Sequence, residues 1–85
     1  MKNFNLIIHG ITNMPNLTPS EKLVMIHLYT LKSMGIDQSH VEVSCKMLSY
    51  TRPGYQKILK RLVQKGYVEE LRPRGNYGLT ETKLF

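Results

Sequence analysis

Apolar and polar positions change period along the chain, and those changes divide it into elements. Phe4 to Ile11 is an apolar stretch broken by Asn5, His9 and Gly10, and the turn-forming run Asn13-Met14-Pro15-Asn16 follows it. A short strand or a docking arm is expected over residues 1–16. Thr18-Pro19-Ser20-Glu21 has the form of a helix start: Thr18 can accept from the N3 amide, Pro19 suits the first helical position, and Glu21 can reach back to the cap. Leu23, Val24, Ile26, Leu28 and Leu31 keep this first helix apolar on more than one side, as a central helix requires, until Gly35 offers a C-terminal stop.

The segment after Gly35 carries two patterns. Val41 and Val43 alternate as in a strand, while Val41, Cys45 and Leu48 recur at helical spacing. Ser39 with Glu42 three residues later forms a second capping box, and Asp37 places negative charge near a helix start, so a second helix is expected. Thr51 can cap a third helix, with Pro53 tolerated in its first turn and Gly66 ending it. Tyr55, Ile58, Leu59, Leu62 and Val63 form one apolar stripe on that helix, and Gln56, Lys57, Lys60, Arg61 and Gln64 point away from it. Two short extended runs follow, Tyr67 to Leu71 and Tyr77 to Thr82, joined by Arg72-Pro73-Arg74-Gly75-Asn76. They read as a β-hairpin.

Composition narrows the setting. With 85 residues and 41% hydrophobic content, the chain has room for one compact domain. Cys45 is the single cysteine and no Cys/His cluster has metal-ligand spacing, so neither a disulfide nor a metal staple is expected. A reducing, cytoplasmic setting without a cofactor follows as the expectation. The uncharged apolar runs, Asn5 to Ile8 and Leu23 to Leu31, are far shorter than the roughly 20 residues that cross a bilayer, so no membrane partner is expected. The opening Met1-Lys2-Asn3-Phe4 also lacks the pattern of a signal peptide.

Charge is where the chain becomes specific. The formal net charge is +6, and the segment from Cys45 to Gly75 carries all of it: Lys46, Arg52, Lys57, Lys60, Arg61, Lys65, Arg72 and Arg74 against Glu69 and Glu70. Basic charge gathered on one helix and one hairpin suits a polyanion, although a charge-rich stretch is also what a solvated face looks like. Arg52, Gln56, Lys57, Lys60 and Arg61 could all face a major groove, where Arg pairs with guanine and Gln with adenine. Lys65 at the helix end suits a phosphate, as does Lys46 on the second helix. Arg72 and Arg74 flank Pro73 at the hairpin tip, where a guanidinium can enter a minor groove or rest on its phosphates. Tyr50, in the turn, suits either packing between helices or a phosphate contact. His9, His27 and His40 are scattered, Cys45 is expected as a small buried apolar residue, and there is no glycine-rich phosphate loop or carboxylate pair. An enzyme is not expected.

From Ser44 to Val68 the residues also resemble the helix-turn-helix of bacterial and phage winged-helix DNA-binding proteins. Cys45 stands where that family needs a small residue, Leu48, Ile58 and Leu62 fall where it is apolar, and Arg52-Pro53 opens the recognition helix as in many regulators. Lys65-Gly66-Tyr67-Val68 is similar to the turn into the wing, and Gly78-Leu79-Thr80-Glu81 resembles the last wing strand of the multiple-antibiotic-resistance repressor type. Leu17-Thr18-Pro19-Ser20-Glu21-Lys22-Leu23-Val24 looks like the DNA-binding portions of phage and plasmid replication proteins. Three positions depart from the family pattern. Ser49 replaces the turn glycine and must avoid a positive φ or bear its strain; Tyr55 replaces a branched aliphatic and needs an outlet for its hydroxyl; Gly54 stands where relatives place a base-contacting Ser or Thr.

The expected architecture is therefore an α+β winged helix-turn-helix with three helices, a C-terminal hairpin wing and a possible short N-terminal strand. Residues 1–16 form the arm and residues 17–85 the domain. The resemblance implies a cytoplasmic, nucleoid-associated protein that binds double-stranded DNA, first as a transcriptional regulator. A replication-initiation or partition protein of a phage or plasmid would use the same surface. A protein-interaction module is the reading from another class, and a homodimer could form through Phe4, Leu6 and Ile8 on one face of the arm.

Overall fold

Thr18 starts the first helix through a reciprocal pair of bonds: its Oγ1 accepts from Glu21 N at 3.2 Å, and Glu21 Oε1 accepts from Thr18 N at 2.9 Å. In the computed structural model, which describes residues 10–80, this helix is α1, Pro19–Ser33. It is followed by a two-residue strand β1, Ser39–His40, a short helix α2, Val41–Met47, and the longer α3, Arg52–Gln64. Strands β2, Val68–Leu71, and β3, Asn76–Leu79, close the chain order. The three strands form one antiparallel sheet in the order β1-β3-β2, with Ser39 opposite Tyr77 and Val68 opposite Leu79. The protein is thus a small α+β domain.

The termini of α1 and α3 follow the sequence signals. Thr51 Oγ1 accepts from Gly54 N at 3.2 Å at the start of α3, while Gly35 and Gly66 sit just past the ends of α1 and α3 at φ 86° and 85°. The start of α2 differs from the expectation. Ser39 is not its cap, because Ser39 and His40 are drawn into the sheet by pairing with Tyr77 and Asn76. The helix begins one residue later with His40 as N-cap, whose Nδ1 accepts from Glu42 N at 3.1 Å. Both sequence patterns are therefore used in turn, a strand for two residues and then a helix that buries Val41, Ser44 and Cys45 while Val43 is exposed.

The described part of the region before α1, from residue 10 onward, is packed into the domain rather than extended as a strand. Residues 10–12 are helical, Ile11 is 1% exposed, and Ile11 and Leu17 belong to the same core as Val24, Met25 and Leu28 of α1. Lys22 Nζ donates to the Thr12 carbonyl at 2.6 Å, tying this segment to α1. Phe4, Leu6 and Ile8 lie outside the described residues. The core is completed by Val41 and Cys45 from α2, by Tyr55, Ile58, Leu59 and Leu62 from α3, and by Val68 and Leu79 from the sheet. Val63, placed in the apolar stripe from the sequence, is 40% exposed because it lies at the stripe's edge facing the hairpin.

A buried polar chain crosses the junction of α1, β1, α2 and α3. His27 Nε2 lies 3.0 Å from Ser44 Oγ, Ser44 Oγ is paired with Ser39 Oγ, and the Tyr55 hydroxyl also bonds Ser44. This is the outlet that Tyr55 requires. Burial pushes the Tyr55 phenol up to about 12, partly offset by its bond to Ser44, and burial lowers the pKa of His27, which favours the neutral ring.

Candidate nucleic-acid interface

The amphipathic spacing of α3 determines what its outer side presents. Tyr55, Ile58, Leu59 and Leu62 face inward, so Arg52, Gln56, Lys57, Lys60, Arg61 and Gln64 are all exposed. Leu48 to Thr51 make the turn that sets α3 against α2, with Ser49 at φ 59° and Tyr50 N donating to the Cys45 carbonyl at 2.9 Å. Ser49 therefore bears the strain of a left-handed residue. The Tyr50 ring stacks on Tyr55 with centroids 6.1 Å apart, so Tyr50 acts as packing between helices.

The hairpin stands beside α3. Arg52 and Gln56 share a cleft of about 410 Å³ with His40, Arg74, Gly75 and Tyr77. A neighbouring cleft of about 330 Å³ is lined by Gln56, Lys60 and Val63 from α3 and by Glu70 and Tyr77 from the hairpin. Arg52, Gln56, Lys60 and Val63 thus form the edge of α3 nearest the hairpin, while Lys57 is rotated out of both clefts. Arg72 and Arg74 are exposed in the four-residue turn between β2 and β3, where Glu70 Oε2 accepts from Gly75 N at 3.1 Å. Lys46 is exposed on α2 and lines neither cleft.

Two expected contacts are engaged elsewhere. Lys65 Nζ donates at 2.6 Å to Glu21 Oε1 and at 2.6 Å to the Asn16 carbonyl, which ties the end of α3 to the start of α1. Burial alone would raise the Glu21 pKa, but the Lys65 bond, the Thr18 amide and the charges of Lys65 and Arg61 outweigh it, and the net shift is downward. Lys65 is thus a structural partner of a buried carboxylate. Arg52 is paired with Glu42 at 2.7 Å across the α2–α3 turn, with both side chains about half exposed. Such a surface pair contributes about 0–1 kcal/mol and can open without much loss.

Sequence reasoning missed Glu42, Glu70, Tyr77 and His40 as neighbours of this surface. In the sequence Glu42 carries only a capping signal, and His40 is not a favoured cap type, so the adjacent Ser39 masks it. Tyr77 faces the cleft through hairpin register; its phenol is raised by burial and the Glu70 charge, against the lowering effect of Arg74. Among the described residues no group of three or more His, Cys, Asp or Glu could hold a metal ion, and no helix is long and apolar enough to cross a membrane. No family model, curated protein or solved structure matches the chain.

Proposed function

We propose that the chain is a winged helix-turn-helix protein that binds double-stranded DNA without catalysing a reaction, as a sequence-specific transcriptional regulator. The observation that carries this reading is the outer side of α3, where Arg52, Gln56, Lys57, Lys60 and Arg61 are exposed together beside a hairpin bearing Arg72 and Arg74. A helix of this diameter fits a B-form major groove, and a hairpin beside it reaches the flanking backbone or minor groove. The helix order, the short turn between α2 and α3, and the hairpin that follows support the winged-helix reading. In this arrangement Arg52 and Gln56 read base edges, and Lys57, Lys60, Arg61, Arg72 and Arg74 hold phosphates.

A replication-initiation or partition role would employ the same face, and the location of the bound site relative to promoters or origin repeats separates the two. Val43 and Met47, one turn apart on α2 and 54% and 59% exposed, favour an additional protein contact on the side of the domain formed by α2. Selection from a random pool of 30-base-pair duplexes tests the reading. Enrichment of one site or of a spaced palindrome is expected, and Arg52→Ala or Gln56→Ala should relax the preference at one position by about 1–3 kcal/mol. Failure to retain any duplex at moderate salt would overturn it in favour of a protein-interaction module.

A further inference from the structure

The structure assigns His40, which neither the charge pattern nor the resemblance singles out, to a seat for one backbone phosphate of the duplex, shared with Arg74. The inference rests on the DNA-binding reading and adds a specific neutral donor to it. His40 Nδ1 accepts from Glu42 N at 3.1 Å, so that nitrogen carries no proton and the ring hydrogen resides on Nε2. No hydrogen bond of Nε2 is found among the described residues, and His40 lines the cleft that Arg52 and Arg74 also line.

The backbone is arranged to leave this room. Gly75 has φ 95°, a Cβ built on it would lie 2.8 Å from His40 Nε2, and its carbonyl accepts from Val41 N at 2.9 Å. The hairpin turn is therefore joined to the start of α2 with the imidazole lying against a bare Cα, and any side chain at Gly75 would displace the ring. Glu70 also borders the cleft, but its Oε2 accepts from Gly75 N, which directs that carboxylate oxygen into the turn. The His40 ring and the Arg74 guanidinium line one cleft at the point where α3 and the hairpin meet, a donor pair suited to a phosphate diester.

His40→Ser tests the seat, because serine keeps a capping hydroxyl on α2 but is too short to reach the cleft. Binding is measured by fluorescence anisotropy at pH 8 with a mixed-sequence 20-base-pair duplex. His40→Ser should weaken binding by about tenfold and leave the slope of log affinity against log salt unchanged, since a neutral donor displaces no counterion. Arg74→Ala should flatten that slope by about 0.9. In the wild-type protein, ¹⁵N spectra of the imidazole should show Nε2 shifting on duplex addition while Nδ1 keeps its acceptor signature. If His40→Ser binds within twofold of wild type and Nε2 does not shift, while Arg74→Ala weakens binding, the seat is refuted and the DNA-binding reading stands. An equal Nε2 shift with 10 mM inorganic phosphate alone would mark a free-anion site and overturn the assignment to duplex backbone. If the wild-type protein does not bind the duplex at all, both readings fall.

Discussion

Replacing Lys65 with Met would strand a carboxylate that the fold has enclosed. The Glu21 side chain is 1% exposed and that of Lys65 32%, with Nζ and Oε1 2.6 Å apart. Removing one partner of a fully buried ion pair costs about 3–5 kcal/mol, and because Lys65 is one third exposed, water recovers part of that, leaving about 2–3 kcal/mol. Glu21→Gln keeps an acceptor for Thr18 N and Lys65, so the double variant Glu21→Gln/Lys65→Met should be more stable than Lys65→Met alone, with a coupling of about 1–2 kcal/mol. Urea unfolding followed by circular dichroism measures all four proteins. The pH dependence has a definite sign: the folded Glu21 pKa lies below its ordinary 4.5, so the pair's contribution is complete above that pH and is lost as pH falls through the lower folded value. The gap between wild type and Lys65→Met should narrow in acid. Stability within about 0.5 kcal/mol of wild type at pH 7 and pH 4 alike would refute the argument and return Lys65 to the candidate phosphate contacts.

The buried imidazole gives a second pH effect of the same direction. His27 has its pKa lowered by burial, so the folded protein binds fewer protons than the unfolded chain and stability should fall as pH drops below 6.5, by up to about 1.4 kcal/mol per unit. His27→Gln should remove that slope in an unfolding series from pH 8 to 5; an unchanged slope would assign it to other groups. Ser49→Gly relieves φ 59° at some cost in unfolded-chain entropy, so thermal unfolding should show a gain of about 0.5–1 kcal/mol, and a loss would contradict the strain reading. Glu42→Ala removes the partner of Arg52, and duplex affinity should rise about two- to threefold with little change in stability; weaker binding would mean that the pair positions Arg52.

The parts of this protein legible in its sequence are those determined by neighbours a few residues apart. Thr18 with Glu21, Thr51 with Gly54, and the inward spacing of Tyr55, Ile58, Leu59 and Leu62 are local features, and each is found where the pattern placed it. What was not legible depends on contacts distant in the chain. Ser39 lost its capping role because Tyr77 pairs with it, and Ile11 joined the core because α1 offered it a surface rather than because its own segment has a distinctive period. Lys65 reads as one more cation on a basic helix until Glu21, 44 residues away, is seen beside it. On the candidate interface, the charge segregation identified the helix and hairpin, but the sharing of a cleft by Arg52, His40 and Arg74 depends on how tightly Gly75 lets the turn approach α2.

The central claim is that the outer side of α3 and the hairpin tip form a duplex-binding surface, and the salt dependence of affinity tests it most directly. Each neutralised phosphate steepens log affinity against log salt by about 0.9 for duplex DNA. Between 50 and 200 mM salt, wild type should show a steep slope, and Lys57→Ala/Lys60→Ala/Arg61→Ala should reduce it by about 2–3 while weakening all sequences. Lys32→Ala, on α1 and outside the basic segment, should leave it unchanged. An affinity and slope that survive the triple substitution intact would contradict the account, because the surface from which function has been argued would then not be the one that meets DNA.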